Sequence, residues 1–249
     1  MLTRLISGPL LALALGSSAA ATDLASMTDE ERATFRAEIR AYLLENPEVL
    51  MEAIGVLEQR EQQAQANADV DLARAYQDAL FNDGFSYVGG NPEGDVTIVE
   101  FMDYRCGYCK RAFPEVEELI SADGNVRFII KEFPILGEQS VLAAQFAIAT
   151  QQVDGDEAYK LVHDALMTFR GDITLDSLSR LGEAYDLDSD SIIAEMNSDA
   201  VNGIIATNRQ LANQMQISGT PTFVFDDQML RGYVPLDQME LILAEVRGN

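Results

Sequence analysis

The chain has 249 residues, and 47% of them are hydrophobic, so it is able to bury a core and does not have the composition of a disordered protein. Its 41 aspartates and glutamates outnumber 17 lysines and arginines, which gives a formal net charge of −24. That balance argues against nucleic acids and anionic membrane surfaces as partners, because both are bound through basic patches.

Residues 1–21 have the pattern of a secretory signal peptide. A short basic start precedes the apolar run LISGPLLALALG, and small residues follow, with Ala19 and Ala21 at the −3 and −1 positions of a cut after Ala21. The apolar run is too short to span a bilayer comfortably. We therefore expect a cleaved signal and a mature protein in the periplasm, an oxidising compartment.

Residues 22–84 are predicted to form an N-terminal helical extension that begins with an amphipathic helix over residues 28–45. Thr28 and Glu31 have the spacing of a capping box, in which each residue satisfies a backbone N–H of the other. Apolar side chains recur at intervals of three and four residues and define one face of this helix: Phe35, Ile39, Tyr42 and Leu43.

A second helix is expected from Pro47 towards Asn82, ending near Gly84, because proline is tolerated at the first helical position. Its first turns are apolar on one face, whereas its middle, EQREQQAQANAD, is almost wholly polar. Two arrangements fit this pattern. The helix folds back onto the main domain, or it projects as a stalk whose apolar end pairs with copies of itself.

The rest of the chain, residues 85–249, is predicted to form one domain in which strands and helices alternate. The β-branched and apolar stretch 96–101 is expected to be a buried strand. It is followed by a helix from the cysteine pair onward, a strand within 125–135, a mainly helical insertion over about 138–216, a hairpin within 222–232 and a closing amphipathic helix.

The two cysteines, Cys106 and Cys109, lie directly after the first predicted strand in the sequence DYRCGYCKR. A disulfide that closes so short a loop stabilises a fold little. A structural zinc site needs four ligands, and the chain offers one histidine, His163, which we interpret as an ordinary helix residue. A zinc site shared between subunits, or Cu(I) held by both thiolates, remains an alternative to redox chemistry.

The position of Cys106 at the start of a helix favours its thiolate, because free N–H groups and the helix dipole stabilise negative charge there. Cysteines in such positions have pKa values of roughly 3.5–7.5, against about 8.5 for a free thiol. Cys109 lies one turn further on and is able to resolve a mixed disulfide formed by Cys106. Gly107 and Tyr108 are expected to tune the reduction potential of the pair.

The second informative motif is ISGTPTFVF, in which Pro221 directly precedes a β-branched and aromatic strand. Proline is tolerated at a strand's edge where its missing N–H is not needed. A cis bond between Thr220 and Pro221 would turn the chain sharply and present the Thr220 backbone to a bound peptide.

These two motifs, EFMDYRCGYCK after a strand and GTPTFVF near the C-terminus, resemble the DsbA family of thioredoxin-fold oxidoreductases over roughly residues 85–247. The resemblance implies an α/β thioredoxin fold with an inserted helical domain. It also implies that Cys106 is the nucleophile, that Cys109 is the resolving cysteine and that Pro221 is a cis-proline preceded by Thr220. The dipeptide between the cysteines departs from the family's best-known oxidase, because Gly-Tyr replaces Pro-His.

The helix pair AYLLENPEVLMEAI further resembles ScsC-type members, whose N-terminal helices can drive oligomerisation and shift activity from oxidation towards isomerisation. We therefore expect a periplasmic thiol–disulfide oxidoreductase that forms, reduces or isomerises disulfides, with isomerase or reductase behaviour favoured. The alternatives are a DsbA-type dithiol oxidase and a non-catalytic chaperone or copper-binding module.

No cofactor is expected beyond the redox-active pair Cys106–Cys109. The expected partners are exported cysteine-containing proteins, a membrane redox partner that resets the pair, and further copies of the chain bound through the N-terminal helices.

Overall fold

The computed structural model describes residues 26–248, so the signal peptide predicted at residues 1–21 lies outside the described part of the chain. The chain divides into two compact units, one ending at Gln59 and the other beginning at Arg60. No helix among the described residues has both the length and the apolar character that a membrane crossing requires.

The first unit contains helix α1 (Asp29–Glu45) and the first turns of helix α2 (Glu48–Ala75). The capping box predicted at its start is confirmed, because the Thr28 hydroxyl accepts from Glu31 N–H at 3.3 Å and the Glu31 carboxylate accepts from Thr28 N–H at 2.8 Å. Many large apolar side chains of this unit are exposed: Phe35, Ile39, Tyr42, Leu44, Leu50, Met51, Ile54, Val56 and Leu57.

The prediction of one continuous helix to Asn82 is wrong at Tyr76, where α2 ends and the short helix α3 (Gln77–Phe81) begins. The break turns Leu80 into the core, where it is fully buried. Carbonyl groups of α3 that the helix leaves free are satisfied by cations of the neighbouring strand, since the Lys131 ammonium donates to the carbonyl of Ala79 at 2.9 Å.

A five-stranded mixed sheet forms the centre of the second unit, in the order β1-β3-β2-β4-β5. Strand β2 runs parallel to β3, and the other neighbouring pairs are antiparallel. The strands are β1 (Tyr87–Gly90), β2 (Val96–Met102), β3 (Val126–Glu132), β4 (Thr222–Phe225) and β5 (Gln228–Arg231). The predicted strands at 96–101 and within 125–135 and the hairpin within 222–232 are confirmed.

Strand β1 was not predicted from the sequence. It is a four-residue edge strand that pairs antiparallel with β3. Gly90 at its end has φ +66°, and a Cβ at this position would lie 2.3 Å from the carbonyl oxygen of Val126. Glycine is therefore required where the edge strand approaches its neighbour, although two consecutive glycines weaken the strand signal in the sequence.

Seven helices complete the second unit. Helix α4 (Gly107–Asp123) follows β2, and five helices lie between β3 and β4. These five are α5 (Glu138–Asp154), α6 (Asp156–Thr168), α7 (Leu175–Ala184), α8 (Ser189–Glu195) and α9 (Asp199–Gln214), and α10 (Leu236–Gly248) closes the chain.

Both faces of the sheet are covered, as the alternation of side chains along β2 shows. Ile98 and Met102 belong to one buried cluster, together with residues of α4 and α5, whereas Val99 and Phe101 belong to a second cluster with Ala73 of α2. Because successive side chains of a strand point to opposite faces, Glu100 lies on the same face as Ile98 and Met102, beneath α4. This mixed sheet with an inserted helical region is a DsbA-like thioredoxin fold, preceded by an N-terminal helical region.

Candidate active site

Cys106 is the N-cap residue of α4. It lies at the end of the short loop, residues 103–106, that joins β2 to this helix. Its sulfur accepts a hydrogen bond from the Cys109 backbone N–H at 3.4 Å, in the manner of a helix cap. Cys106 retains 8% of its surface exposed, whereas Cys109 is fully buried one turn further on. Both are free thiols. Cys106 is therefore the less buried of the two cysteines and the one that solvent can reach.

The connecting loop is held by the buried carboxylate of Asp103. One of its oxygens accepts from Arg105 N–H at 2.7 Å, and the other accepts from Ile135 and Leu136 N–H at 2.8 and 3.0 Å. The Asp103 carbonyl also accepts from the Cys106 N–H at 3.0 Å. One side chain thus fixes both the cysteine loop and the segment that follows β3.

The two thiols differ strongly in acidity. A hydrogen bond from the Cys109 side chain, helped by that of Thr220 and by backbone N–H groups at the helix start, lowers the pKa of Cys106 from 9.0 to about 5. Burial, followed by its hydrogen bond to Cys106, raises the pKa of the Cys109 thiol far above the ordinary range. At neutral pH the pair therefore holds a Cys106 thiolate and a Cys109 thiol.

The peptide bond between Thr220 and Pro221 is cis, as the GTP motif suggested. The Thr220 carbonyl oxygen lies 3.1 Å from the sulfur of Cys106, which donates to it in the thiol form. Pro221 is buried and directly precedes β4. The structure therefore brings together the cysteine pair, Thr220 and Pro221, which the sequence analysis selected separately.

The two residues between the cysteines differ in their surroundings. Gly107 is exposed, and a Cβ at this position would meet no other atom within 4 Å. Tyr108 is 62% exposed, and its ring stacks on Tyr233 with centroids 6.4 Å apart. Tyr233 is held in turn by the Arg111 guanidinium 4.3 Å from its ring and by Glu115, which accepts from its hydroxyl at 2.7 Å.

Glu100 is a site residue that the sequence analysis missed. It is fully buried in the middle of β2, and its Oε1 has no hydrogen-bond partner among residues 26–248. Burial, and then the negative charge of Cys106, raise the pKa of Glu100 to about 8. Its negative charge is also one of the causes that raise the pKa of Cys109, so the carboxyl group lies near the buried thiol. The signal in the sequence was a lone acidic residue inside the apolar strand VTIVEF.

A second buried carboxyl group, Glu132, anchors the loop before the cysteines to α6. The hydroxyls of Tyr104 and Tyr159 donate to its Oε1 at 2.6 and 2.7 Å, and burial raises the pKa of Glu132 to about 8. The Tyr104 hydroxyl also lies 3.1 Å from Nδ1 of His163. Burial lowers the pKa of His163 to about 3, so this imidazole is a neutral member of the core.

The pattern of the catalytic region matches a known family. The model of the DSBA-like thioredoxin domain matches residues 97–244, more than half of the chain. The model of the copper resistance protein ScsC N-terminal domain matches residues 31–64, within the predicted helical extension.

Solved structures resemble the chain over most of its length. A thioredoxin-like oxidoreductase of Silicibacter pomeroyi DSS-3 is 40% identical, with 70% of this chain and 98% of that chain covered and a TM-score of 0.65. BcfH of Salmonella enterica Typhimurium is 32% identical, with 88% of this chain and 97% of that chain covered and a TM-score of 0.74.

A curated relative, the Na(+)/H(+) antiporter NhaA 3 of Salinispora tropica, is 31% identical over 146 residues, which cover 59% of this chain. The chain spans only 22% of the length of that relative. The similarity therefore concerns one part of a longer protein. From the matched model and the site geometry together, we conclude that the chain belongs to the family of DSBA-like thioredoxin domains.

Proposed function

We propose that the protein is a periplasmic thiol–disulfide oxidoreductase that acts on exported cysteine-containing polypeptides. The observation that carries the proposal is the asymmetry of the pair. Cys106 is accessible, caps α4 and has a pKa of about 5, whereas Cys109 is buried with a raised pKa. No cofactor other than this pair is needed for the proposed reaction.

The reaction begins when the Cys106 thiolate attacks a substrate disulfide. A mixed disulfide forms, and one substrate sulfur leaves as a thiolate. Formation of the mixed disulfide removes the Cys106 charge that helps to keep Glu100 protonated. In reduction, the ionised Glu100 then takes the proton of Cys109, which attacks the Cys106 sulfur. This step releases the second substrate thiolate, which takes up a proton, and leaves the Cys106–Cys109 disulfide. Two electrons have then passed to the substrate.

In isomerisation, a different thiol of the substrate attacks the mixed disulfide instead. The Cys106 thiolate is released unchanged, and no net electrons are transferred. We propose that isomerase or reductase behaviour dominates. In support, the dipeptide between the cysteines is Gly107-Tyr108, which departs from the Pro-His of the family's best-known oxidase. The match to the ScsC N-terminal domain also supports this direction.

A membrane redox partner is proposed to return the pair to its dithiol form after each reduction. If the protein instead donates its disulfide as a dithiol oxidase, that partner must reoxidise the pair. Parallel assays on scrambled and on reduced ribonuclease distinguish the two directions. Faster recovery from the scrambled protein is expected, and faster recovery from the reduced protein would favour the oxidase.

The test of the activity itself is insulin reduction by the full mature chain. The variant Cys106→Ala is expected to lose the activity completely. Unchanged activity in this variant would contradict the proposal and favour a non-catalytic chaperone. Stoichiometric Cu(I) binding without turnover would favour the copper-binding alternative.

We further propose that copies of the chain associate through the N-terminal helices. The support is the exposed apolar side chains of the first unit, among them Ile39, which is 44% exposed. Two sites in one particle would hold one scrambled substrate during isomerisation. Light scattering is expected to give an oligomer for the wild type and a smaller particle for Ile39→Glu. The control Ala37→Glu adds the same charge to the same helix, about 200° from Ile39, and is expected to leave the size unchanged. A monomeric wild type would contradict this proposal.

A further inference from the structure

Three cations meet beside the cysteine pair. Arg105, which directly precedes Cys106, donates through Nη1 to the carbonyl of Gly171 at 2.8 Å. Lys110, which directly follows Cys109, donates through Nζ to the carbonyl of Phe169 at 2.6 Å. Arg170 lies in the loop between these two acceptors and is exposed. We call Arg105, Lys110 and Arg170 the basic cluster.

The members of the basic cluster are close enough to repel one another. Burial, followed by the charges of Arg105 and Arg170, lowers the pKa of Lys110. The side chains of Arg105 and Lys110 both donate to backbone carbonyl oxygens. These acceptors carry no formal charge, so they do not neutralise the positive charge of the two side chains. The cluster is therefore a local surplus of positive charge.

No residue of the basic cluster has a carboxylate within 4.0 Å among residues 26–248. Six other cations of the same unit do form such ion pairs: Arg74, Lys131, Lys160, Arg180, Arg231 and Arg247. Within the described part of the chain Arg60, Arg111, Arg127 and Arg209 have none either, so the cluster is distinguished by the grouping of three such cations beside the cysteine pair, in a chain whose formal net charge is −24. Carboxylates outnumber cations more than twofold, yet three cations beside the nucleophile are left unpaired.

Acidic groups on the neighbouring elements have other partners. Lys160 binds both Glu117 and Asp164, at 3.2 and 2.7 Å. Asp172, in the loop after Gly171, accepts from the amide of Gln139 at 3.2 Å, and Asp103 accepts only from backbone N–H groups. The positive charge of the cluster is therefore left for a group that comes from outside the chain.

A cavity of about 310 Å³ adjoins the cluster, between α4 and the end of α6. Lys110 and Arg170 lie at its edge, and most of the remaining lining is apolar: Phe113, Pro114, Met167 and Phe169. An extended peptide advances by about 3.3 Å per residue, so side chains a few positions from a cysteine bound to Cys106 would reach the cluster and this cavity.

We propose that the basic cluster selects polypeptide substrates whose reactive cysteine is flanked by acidic side chains. The carboxylates of such a segment would meet Arg105, Lys110 and Arg170, while a neighbouring apolar side chain enters the cavity. Unpaired cations beside a reactive group raise the rate of association with an acidic partner, and this effect falls with ionic strength. The inference rests on the proposed thiol–disulfide exchange at Cys106 and names its substrate class.

The test uses the full mature chain in its reduced form and two short peptides. Each peptide has one cysteine in a mixed disulfide with 2-mercaptoethanol, flanked by aspartates in one peptide and by asparagines in the other. Second-order rate constants are measured at low salt and in 1 M NaCl, where the Debye length falls to about 3 Å. The neutral reagent bis(2-hydroxyethyl) disulfide reports the intrinsic reactivity of Cys106 in every variant.

The wild type is expected to react about tenfold faster with the aspartate peptide than with the asparagine peptide at low salt, and at similar rates in 1 M NaCl. The double variant Arg105→Gln/Arg170→Gln is expected to lose this preference while its reaction with the neutral disulfide is kept. The control Arg74→Gln/Arg247→Gln removes the same charge from residues paired with Asp227 and Asp95, at the other end of β2, and is expected to keep the preference.

Equal rates for the two peptides at low salt would overturn the inference, and so would an equal loss of preference in the control variant. In that case the basic cluster would not select substrates, and it would be a candidate binding surface for the proposed membrane redox partner instead. Failure of the proposed function gives a different result, because the wild type would then not react with the neutral disulfide at all.

Discussion

The carbonyl oxygen of Thr220 lies 3.1 Å from the sulfur of Cys106, although the two residues are 114 positions apart in the chain. The sheet explains this contact. Strand β2 leads into the cysteine loop, β4 begins directly after Pro221, and the two strands pair antiparallel with Phe101 opposite Thr222. The end of β2 and the start of β4 must therefore meet, and the sulfur of Cys106 faces the backbone carbonyl of Thr220.

The buried position of Cys109 predicts how the reaction can be interrupted. With Cys109→Ala, the mixed disulfide at Cys106 has no resolving thiol within the chain and should accumulate. We expect covalent complexes with peptide disulfides that a reducing agent releases, detected by mass spectrometry. Cys106→Ala should form none, because the remaining thiol is buried and its pKa is raised. Complexes of equal yield in both variants would contradict the assigned order of attack.

The acidity of Cys106 predicts a dependence of stability on pH. Its pKa is lowered from 9.0 to about 5 in the folded dithiol form, so its contribution to stability is present in full above pH 9 and is lost as the pH falls through about 5. The shift corresponds to about 5 kcal/mol at the alkaline end. Because the Cys106 sulfur is partly solvated, screening should reduce the contribution seen in urea unfolding of the reduced protein to on the order of 3 kcal/mol. In Cys106→Ala the same span of pH should show a correspondingly smaller change. Parallel curves for the two proteins would contradict a lowered pKa.

Glu100 predicts a dependence of stability on pH that is opposite to that of Cys106. Burial raises its pKa from 4.5 to about 8, so its contribution to stability is present below pH 4.5 and is lost as the pH rises through about 8. Glu100→Gln should therefore unfold at higher urea concentration than the wild type above pH 8 and at a similar concentration below pH 4.5.

The same variant should affect catalysis. The second step, release of a peptide from the Cys106 mixed disulfide, should slow by roughly 100-fold because Cys109 loses its proposed proton acceptor. The first step, attack by Cys106, should change less, and stopped-flow measurements separate the two. An unchanged second step would assign Glu100 no part in proton transfer.

Gly90 provides a test of the edge strand that the sequence did not predict. Gly90→Ala should lower the free energy of unfolding by about 2 kcal/mol or more, because φ is +66° and the new Cβ would lie 2.3 Å from the Val126 carbonyl. The control Gly203→Ala, at an exposed position of α9 where a Cβ meets nothing within 4 Å, should raise it by up to about 1 kcal/mol. Equal effects of the two changes would contradict the described approach of β1 to β3.

The parts of the fold that could be predicted are those with a local signal. Capping residues mark the start of α1, and runs of β-branched residues mark β2 and β3. The two-residue spacing of Cys106 and Cys109 indicates a redox-active pair without any tertiary information. The end of α2 had no such signal, because the break at Tyr76 depends on tertiary contacts of Leu80 and Lys131. Local helix propensity alone would continue through that position.

The role of Glu100 was hidden for a similar reason. One acidic residue in an apolar strand is equally compatible with an exposed edge, and only the packing of α4 over β2 shows that it is buried beside the cysteines. The basic cluster could not be predicted either. Arg105 and Lys110 are visible next to the motif, but Arg170 joins them only because the end of α6 lies against the start of α4.

The complete burial of Cys109 behind the partly accessible thiolate of Cys106 also affects how the protein responds to peroxide. Peroxide oxidises the accessible Cys106 thiolate to a sulfenic acid with loss of water or hydroxide, and the neighbouring Cys109 thiol condenses with it to a disulfide, releasing water. The product is the same disulfide that the proposed reduction reaction forms, so the proposed membrane redox partner would restore the dithiol. The pair should therefore consume one equivalent of peroxide and stop, without advancing to the irreversible sulfinic acid that a lone cysteine of this acidity would reach.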